Sequence, residues 1–415
     1  MPGDKSISHR AALIAALSSG NSQISNFSSA RDCASTLACL RELGISIEDK
    51  GGQLLFAGNQ RFVTPVRPLN CGNSGSTLRI LTGVLAAHDL EAELIGDNSL
   101  SSRPMRRIIE PLELMGAQID ATGGKAPLKV RGTSNPVPIT YKLPIASAQV
   151  KSAILFAALN AKGRTTVIET CASRDHTERL FNGFGVPVTT NQDHSVVLDG
   201  PAQLKGGAIN VPGDVSSAAY FIAAAMLMNK SVLTIEGVGL NPTRAAFLSV
   251  LSAWGADIST TDLQNDRNEP CGTINVRGGI SKIAGDDDRI LCKSMIPSLI
   301  DELPLLAVVG SQISGGIRIK DAAELRLKES DRLASTAVNL RAMGAEVEEF
   351  EDGLEVIGPT KLRGATIDSF GDHRIAMAFT VAALVADGES EIKGAECVAI
   401  SFPEFFELLE MVVIR

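Results

Sequence analysis

Hydrophobic and polar positions along the chain follow two helical patterns that alternate. In the first, an amphipathic segment ends at a glycine and continues with alternating apolar and polar residues, which is typical of a helix that stops at a left-handed residue and leads into a half-buried strand. Spacings of about 70 residues between the first four copies indicate a duplicated supersecondary unit. The pattern occurs at Leu43-Gly44-Ile45, Met115-Gly116-Ala117, Phe184-Gly185-Val186, Trp254-Gly255-Ala256 and Met343-Gly344-Ala345.

The second pattern is a helical segment that is apolar on nearly every side, which predicts a buried inner helix. The inner helices are expected over residues 11–17, 80–87, 153–159, 218–228, 303–309 and 375–385. Hairpins are expected after the glycines, because alternating segments flank Gly or Asp turns, as in residues 345–358 and 117–130.

The two halves of the chain also resemble each other. Pro2-Gly3-Asp4-Lys5-Ser6 opens the first inner helix, and Pro212-Gly213-Asp214-Val215-Ser216 opens the fourth. We therefore predict an α/β (α+β) fold of two similar domains, residues 1–211 and 212–415. Each domain is expected to contain three repeated strand–helix units around buried inner helices.

Composition narrows the class of protein. A net charge of -8 and 4% aromatic residues argue against nucleic-acid and acidic-membrane partners. The seven cysteines lack CxxC spacing, and the five histidines form no ligand pattern, so we expect no metal and a reducing compartment. No apolar stretch reaches the roughly 18 residues of a membrane span, and no secretory signal pattern is present. We expect a cytoplasmic protein, without nucleic-acid or membrane partners, that acts as a monomer.

Polar segments precede most of the inner helices. A helix N-terminus offers free N–H groups and the positive end of the dipole, so Lys, Arg, Ser and Gln placed there predict anion sites. For a single segment, N-capping with solvated charges explains the pattern equally well, but repetition at equivalent positions favours anion binding. The segments are residues 3–10, 73–79, 147–151, 301–302 and 371–374.

The segment from Arg326 to Arg332 combines cations with a carboxylate. If it is helical, Lys328 and Arg332 share a face, with Glu329 beside it; spacing alone slightly favours a solvated, salt-bridged helix start. The cations in this and similar clusters are Lys5, Arg10, Arg79, Arg103, Arg174, Lys328, Arg332 and Arg374.

Carboxylates are the natural proton carriers in this chain. Asp301 and Glu329 are the candidates, with Glu302 and Asp372 as alternatives, although an Asp at a helix start is more often a cap. The sequence contains no GxSxG, no Walker loop and no GxGxxG followed by an acidic residue. We therefore expect a cofactor-free addition or elimination that depends on positioning, electrostatics and acid–base catalysis.

Seven motifs resemble, in order, those of the 5-enolpyruvylshikimate-3-phosphate synthase family. They are residues 2–10, 72–79, 103–105, 147–149, 173–178, 325–332 and 372–377. The resemblance implies an enolpyruvyl transferase-like inverse α/β barrel in each domain. It implies transfer of the enolpyruvyl group of phosphoenolpyruvate to the 5-hydroxyl of shikimate 3-phosphate in the shikimate pathway, through a tetrahedral intermediate, with loss of phosphate. It implies no metal and no organic cofactor.

The resemblance also assigns roles to residues. The first domain would bind shikimate 3-phosphate, and the second would clamp phosphoenolpyruvate and carry the acid–base groups. Asp301 would take the proton of the attacking hydroxyl, and Glu329, with Lys5, would exchange the proton at the methylene carbon. Shikimate 3-phosphate would contact Lys5, Ser6, Arg10, Ser147, Ala148, Gln149, Arg174, Asp301 and Lys328. Phosphoenolpyruvate would contact Lys5, Gly75, Arg103, Gln149, Arg332 and Arg374.

Glyphosate would compete for the phosphoenolpyruvate pocket, whose wall would include Gly75. Tolerant members of the family carry Ala at this point. Because this chain has Gly75, the resemblance implies a glyphosate-sensitive enzyme.

Two alternatives stay open at this stage. The related UDP-N-acetylglucosamine enolpyruvyl transferases usually carry a reactive Cys a few residues before an Arg-Pro, whereas residues 96–102, before Arg103-Pro104, contain none. A non-catalytic receptor for phosphorylated metabolites would need the anion-binding residues but not Asp301 and Glu329.

Overall fold

A computed structural model describes residues 1–279 and 289–413 and divides the chain into two compact units. The N-terminal unit consists of Pro2–Pro212 and Asn265–Pro270. The C-terminal unit consists of Met1, Gly213–Gln264 and Cys271–Arg415. These units differ from the predicted ranges, because Asn265–Pro270 groups with the N-terminal unit although it lies far along the second half of the sequence.

The N-terminal unit repeats one sheet topology. Its helices are α1 (Lys5–Leu17), α2 (Arg31–Glu42), α3 (Gly75–Ala86), α4 (Asn98–Ser102), α5 (Arg106–Leu114), α6 (Ala148–Ala158) and α7 (His176–Gly183). Its strands are β1 (Ser22–Ser25), β2 (Ile47–Lys50), β3 (Gln53–Phe56), β4 (Leu69–Asn70), β5 (Glu91–Ile95), β6 (Gln118–Ala121), β7 (Leu128–Arg131), β8 (Thr140–Lys142), β9 (Gly163–Ile168), β10 (Val188–Thr190), β11 (Ser195–Gly200) and β12 (Ala208–Asn210). The sheet orders are β12-β1-β3-β2, β4-β5-β7-β6 and β8-β9-β11-β10. Each sheet joins a parallel pair to antiparallel partners, so the described unit is built from one repeated strand–helix plan.

The C-terminal unit follows the same plan less regularly. Its helices are α8 (Val215–Leu227), α9 (Ala246–Ala253), α10 (Ile296–Leu299), α11 (Leu303–Gly310), α12 (Arg332–Ala342), α13 (His373–Val385) and α14 (Phe405–Val412). Its strands are β13 (Val232–Gly239), β14 (Asp257–Asp266), β15 (Glu269–Arg277), β16 (Ile290–Leu291), β17 (Ile317–Ile319), β18 (Val347–Phe350), β19 (Gly353–Val356), β20 (Thr366–Asp368) and β21 (Glu391–Lys393). The sheet orders are β13-β15-β14, β16-β17-β19-β18 and β20-β21, and the second of these again joins a parallel pair to a hairpin.

The predicted inner helices are confirmed as α1, α3, α6, α8, α11 and α13, and each has a largely buried surface. Several begin before the apolar segment, because the polar residues ahead of it form the first turn. In the N-terminal unit, α3 and α6 touch backbone to backbone: a Cβ on Gly83 would lie 2.2 Å from the Ala153 carbonyl oxygen. Across residues 1–279 and 289–413, no helix combines the length and apolar character that crossing a membrane requires.

The predicted glycine stops and hairpins are also confirmed. The five glycines that follow the amphipathic helices have φ between 84° and 103°, the left-handed region in which Gly lacks the Cβ penalty. β6 pairs with β7, and β18 pairs with β19, in antiparallel register. These turns end each outer helix and set the direction in which the chain continues. The polar residues at the ends of the core therefore lie at the starts of the inner helices.

Candidate active site

The starts of α3 and α6 meet in the N-terminal unit. Ser74 and Ser147 cap these helices with their hydroxyls, and Ala148 and Gln149 are the first residues of α6. Gln149 Nε2 donates to Ser76 Oγ at 2.9 Å, and Gln149 Oε1 accepts from Arg79 Nη1 at 2.7 Å. Two helix N-termini with free N–H groups therefore lie beside a guanidinium, which suits an anion.

Gly75, the first residue of α3, lies close to two guanidinium groups. A Cβ added there would be 2.7 Å from Arg79 Nη1 and 3.4 Å from Arg103 Nη1. Arg103 follows α4, and its Nη2 donates to Asn73 Oδ1 at 3.1 Å and to Ser99 Oγ at 3.3 Å. The absent side chain at Gly75 thus leaves both guanidinium groups accessible from the α3 backbone.

Arg10 on α1 is buried among neutral partners. It donates to Thr177 Oγ1, Ser152 Oγ and the Ser6 carbonyl, each at 2.8 Å. Burial lowers the pKa of Arg10, Glu178 and Asp4 raise it, and the charge of Arg174 lowers it again, so that the resulting pKa is about 10. Arg174 lies in the loop between β9 and α7 and is half-buried. Arg10 and Arg174 therefore lie close enough for their charges to interact, and Arg10 stays protonated at neutral pH.

Lys5 on the first turn of α1 has a partner that the sequence did not reveal. Its Nζ lies 2.9 Å from Asp32 Oδ2 on α2, and both side chains are largely buried. Burial, and to a smaller extent the charges of Lys5 and Arg10, hold the pKa of His9 well below its ordinary value, so the imidazole is neutral.

The residues that we call the N-terminal cluster are Lys5, Ser6, Arg10, Gly75, Arg79, Arg103, Ser147, Gln149 and Arg174.

Arg332 organises the corresponding part of the C-terminal unit. It is the first residue of α12 and is 2% exposed. Its guanidinium contacts Asp372 Oδ2 at 2.8 Å, Asp301 Oδ1 at 3.3 Å and Glu329 Oε2 at 2.6 Å. Burial lowers the pKa of Arg332, but the three carboxylates outweigh it and raise this pKa above its ordinary value. A permanently charged arginine therefore neutralises and orients the two candidate proton carriers.

Arg374, the second residue of α13, joins three inner-helix starts. It donates to Ser216 Oγ of α8 at 3.1 Å and contacts Glu302 Oε1 before α11 at 3.4 Å and Asp301 Oδ2 at 3.5 Å. The Ser216 hydroxyl also donates to Glu302. Burial lowers the pKa of Arg374, whereas Asp301, Tyr220 and Glu302 raise it, and the net direction is upward. Three inner-helix starts therefore meet within this unit.

Arg244 was missed by the sequence analysis. It is 3% exposed, and its Nη groups lie 3.6 Å from Asp214 Oδ1 and 3.9 Å from Asp301 Oδ2. Asp214 is the N-cap of α8. Asp301 therefore contacts Arg244, Arg332 and Arg374. We call Asp301, Glu302, Glu329, Asp372 and these three arginines the C-terminal cluster.

The helix that would place Lys328 and Arg332 on one face does not form. A 3₁₀ turn ends at Leu327, Asp331 caps α12, and the helix begins only at Arg332. Lys328 instead contacts Glu324 Oε1 at 2.9 Å. Glu329 reaches Arg332 from the extended segment between the two elements.

Asp372 is a helix cap, as an Asp at a helix start is expected to be, and it also binds an arginine. It caps α13 by accepting from Arg374 N at 2.8 Å, and it binds Arg332. Glu302 is turned toward Ser216 and Arg374, whereas Asp301 is also bound by Arg332. Among residues 1–279 and 289–413, no group of His, Cys, Asp and Glu is arranged to hold a metal ion.

The fold and these clusters define an α/β protein of two repeated units, one with a cluster of cations at its helix starts and the other with carboxylates held by arginines. The profile of the family EPSP synthase (3-phosphoshikimate 1-carboxyvinyltransferase) matches residues 1–409, and the chain belongs to this family.

Individual relatives agree with this assignment. The chain is 50% identical to the 3-phosphoshikimate 1-carboxyvinyltransferase of Koribacter versatilis, over 100% of this chain and 96% of that protein. It is 47% identical to the protein of the same name from Solibacter usitatus, over 99% and 96%. The solved EPSP synthase of Acinetobacter baumannii superposes with a TM-score of 0.86 at 39% identity, covering 99% of this chain and 94% of that one. Both the predicted family and the predicted fold class are thereby confirmed.

Proposed function

We propose that this protein transfers the enolpyruvyl group of phosphoenolpyruvate to the 5-hydroxyl of shikimate 3-phosphate. In this proposal the N-terminal cluster mainly binds shikimate 3-phosphate, and the C-terminal cluster carries the acid–base groups. The reaction is that of the family to which the chain belongs, in the shikimate pathway of aromatic amino-acid biosynthesis. The observation that carries the residue assignment is Asp301, a carboxylate at the start of α11 that contacts Arg244, Arg332 and Arg374. The three guanidinium groups hold such a carboxylate ionised and oriented, and a general base must be both.

Binding of shikimate 3-phosphate falls mainly to the N-terminal cluster. Ser147 and Arg174 face the 3-phosphate in this proposal, since a helix N-terminus and a guanidinium are both suited to phosphate oxygens. Arg10 donates to two hydroxyls and a carbonyl, and its buried guanidinium lies close enough to Arg174 to feel its charge, which supports a role beside the same ligand. The remaining contacts are assigned to Lys5, Ser6, Ala148, Gln149, Asp301 and Lys328.

Phosphoenolpyruvate carries a phosphate and a carboxylate, and arginine guanidinium groups can bind both of these anions. We assign Arg103 and Gln149 of the N-terminal cluster to it, with Lys5 and the open backbone at Gly75. Arg332 and Arg374 are assigned to it from the C-terminal cluster. Bidentate guanidinium contacts fix the orientation of such anions and lower the entropic part of the barrier.

The chemistry then proceeds in two balanced steps. Asp301 accepts the proton of the 5-hydroxyl while that oxygen bonds to C2 of phosphoenolpyruvate, and Glu329, assisted by Lys5, delivers a proton to C3. The product is a tetrahedral intermediate. In the second step the C2–O bond to phosphate breaks, and phosphate leaves with the proton that Asp301 holds. C3 returns its proton to the Glu329 carboxylate, and the C2–C3 double bond forms again.

The setting of the reaction is also part of the proposal. We propose a cytoplasmic monomer that acts on these two small molecules without a metal or organic cofactor. Free thiols at all seven cysteines of the described chain, three of them buried, support a reducing compartment.

A phosphate-release assay tests the activity. We expect release with both substrates together and none when either is omitted. UDP-N-acetylglucosamine in place of shikimate 3-phosphate tests the related transferase, and calorimetric binding without release would indicate a receptor. Release that depends on the UDP-sugar, or binding without turnover, would contradict the proposed function.

A further inference from the structure

A buried charge cluster lies next to the α6 start and takes no part in the mechanism above. Lys151 is 1% exposed, and its Nζ lies 2.7 Å from Glu169 Oε2 and 2.7 Å from Glu178 Oε1. Burial lowers the pKa of Lys151, but the two glutamates raise it, so the lysine is charged. A buried ion pair rarely adds stability over well-packed apolar groups of the same volume, so its presence calls for another explanation.

The cluster holds the loop that carries Arg174. Glu169 directly follows β9, and its carboxylate accepts both from the Ser173 hydroxyl and from Ser173 N, the latter at 3.5 Å. Ser173 is the residue immediately before Arg174. The backbone from which the Arg174 side chain projects is therefore tied, through Glu169, to Lys151 on α6.

The same turn of α6 also holds Arg10. Ser152, next to Lys151, accepts from Arg10 Nη2 at 2.8 Å and lies 2.7 Å from Thr177 Oγ1. One turn of α6 therefore makes both sets of contacts. Ser152 contacts Arg10 and Thr177, and Lys151 contacts Glu169, which holds the Arg174 loop. Such an arrangement fixes the spacing of the two guanidinium groups.

We propose that Lys151, Glu169 and Ser173 are positioning residues that hold Arg174 for the 3-phosphate of shikimate 3-phosphate. The inference rests on the proposed function, because it requires that Arg174 binds this phosphate. The three residues contact no substrate; they reduce the conformational freedom that the Arg174 loop would otherwise lose on binding.

The test compares shikimate 3-phosphate with shikimate, which lacks the phosphate. For Ser173→Ala, calorimetry is expected to show about tenfold weaker binding of shikimate 3-phosphate, since one hydrogen bond to a charged group is lost. Binding of shikimate should be unchanged. In turnover, the KM for shikimate 3-phosphate should rise, while kcat and the KM for phosphoenolpyruvate stay within about twofold of wild type.

A matched control is available in the same unit. The Ser195 hydroxyl and N–H both bond to the Asp193 carboxylate, at 2.6 and 3.0 Å, in the same way as Ser173 to Glu169. Ser195→Ala should leave the binding of shikimate 3-phosphate and of shikimate unchanged. Glu169→Gln provides a second variant that retains the shape of the side chain and should weaken shikimate 3-phosphate binding in the same selective way.

A double-mutant cycle with Arg174→Ala decides whether Ser173 acts through Arg174. We expect Ser173→Ala to weaken binding no further once Arg174 is removed. An effect of Ser173→Ala that persists in the Arg174→Ala background, or that weakens shikimate equally, would overturn the inference. If the wild-type protein itself does not bind shikimate 3-phosphate, the proposed function is wrong.

Discussion

The N-terminal and C-terminal clusters contain similar cations but surround them differently. Arg10 donates to two hydroxyls and a carbonyl, and Arg79 donates to the Gln149 amide. Arg332, in contrast, contacts three carboxylates. Neutral partners leave a guanidinium charge available to a ligand, whereas carboxylate partners cancel that charge and become oriented themselves. The comparison shows that similar helix-start arrangements carry differently compensated cations in the two units, and the proposed division into a binding surface and a proton-handling site rests on this difference.

Removing the central carboxylate should give the largest effect. Asp301→Asn keeps the size of the side chain but cannot accept the hydroxyl proton, so kcat should fall about 10²–10⁴-fold. Binding of shikimate 3-phosphate should be retained in calorimetry, because the N-terminal cluster is intact. Asp387→Asn, at an exposed pair with Lys361, is the control. Turnover above about a tenth of wild type would exclude Asp301 as the base.

Removing one arginine from each cluster compares how much the two arginines contribute to the free energy of unfolding. Arg332→Met leaves three carboxylates without their common partner and should lower the free energy of unfolding by about 3–5 kcal/mol. Arg10→Met leaves neutral groups and should cost about 1–3 kcal/mol. Urea unfolding followed by circular dichroism measures both. Equal losses would contradict the distinction between the two clusters.

A methyl group at Gly75 tests the steric limit of the N-terminal cluster. Its Cβ would lie 2.7 Å from Arg79 Nη1, so the guanidinium must shift. The added methyl should crowd glyphosate more than the shorter phosphoenolpyruvate and raise its inhibition constant roughly 10-fold or more, since overpacking costs about 1–3 kcal/mol. The KM for phosphoenolpyruvate should rise less. If both constants and the melting temperature worsen together, Gly75 serves the turn alone; a wild type that resists glyphosate contradicts the implied sensitivity.

The buried imidazole beside Lys5 and Arg10 should give a small pH effect. Burial lowers the pKa of His9 in the folded protein, so below about pH 6.5 the unfolded chain binds a proton that the folded chain does not. Stability from His9 is therefore present above this pH and is lost as the pH falls, by at most about 1.4 kcal/mol per unit. The melting temperature should fall less steeply with acid in His9→Gln than in wild type. His194→Gln, at an exposed turn, should keep the wild-type slope.

Local patterns predicted the fold and the segments in which the two clusters lie, because the inner helices, their polar starts and the glycine stops are each encoded within a few neighbouring residues. Interactions between distant segments could not be predicted in the same way. Asp32 reaches Lys5 from another helix, and Arg244 reaches Asp301 from a segment without a cationic cluster. The segment before α12 was interpreted as helical because the spacing of Lys328 and Arg332 fits a helix, whereas Asp331 caps the helix only afterwards.

The tip of the β14–β15 hairpin has a consequence for how the protein can be divided. Asn265–Pro270 belongs to the N-terminal unit, where Arg267 donates to the Gly183 and Ala208 carbonyls and Glu269 lies 2.7 Å from the buried His176. A fragment that stops at Pro212 would lack these six residues and leave His176 without that carboxylate. The gene segment that was copied during evolution therefore does not coincide with a segment that can be excised and expected to refold on its own.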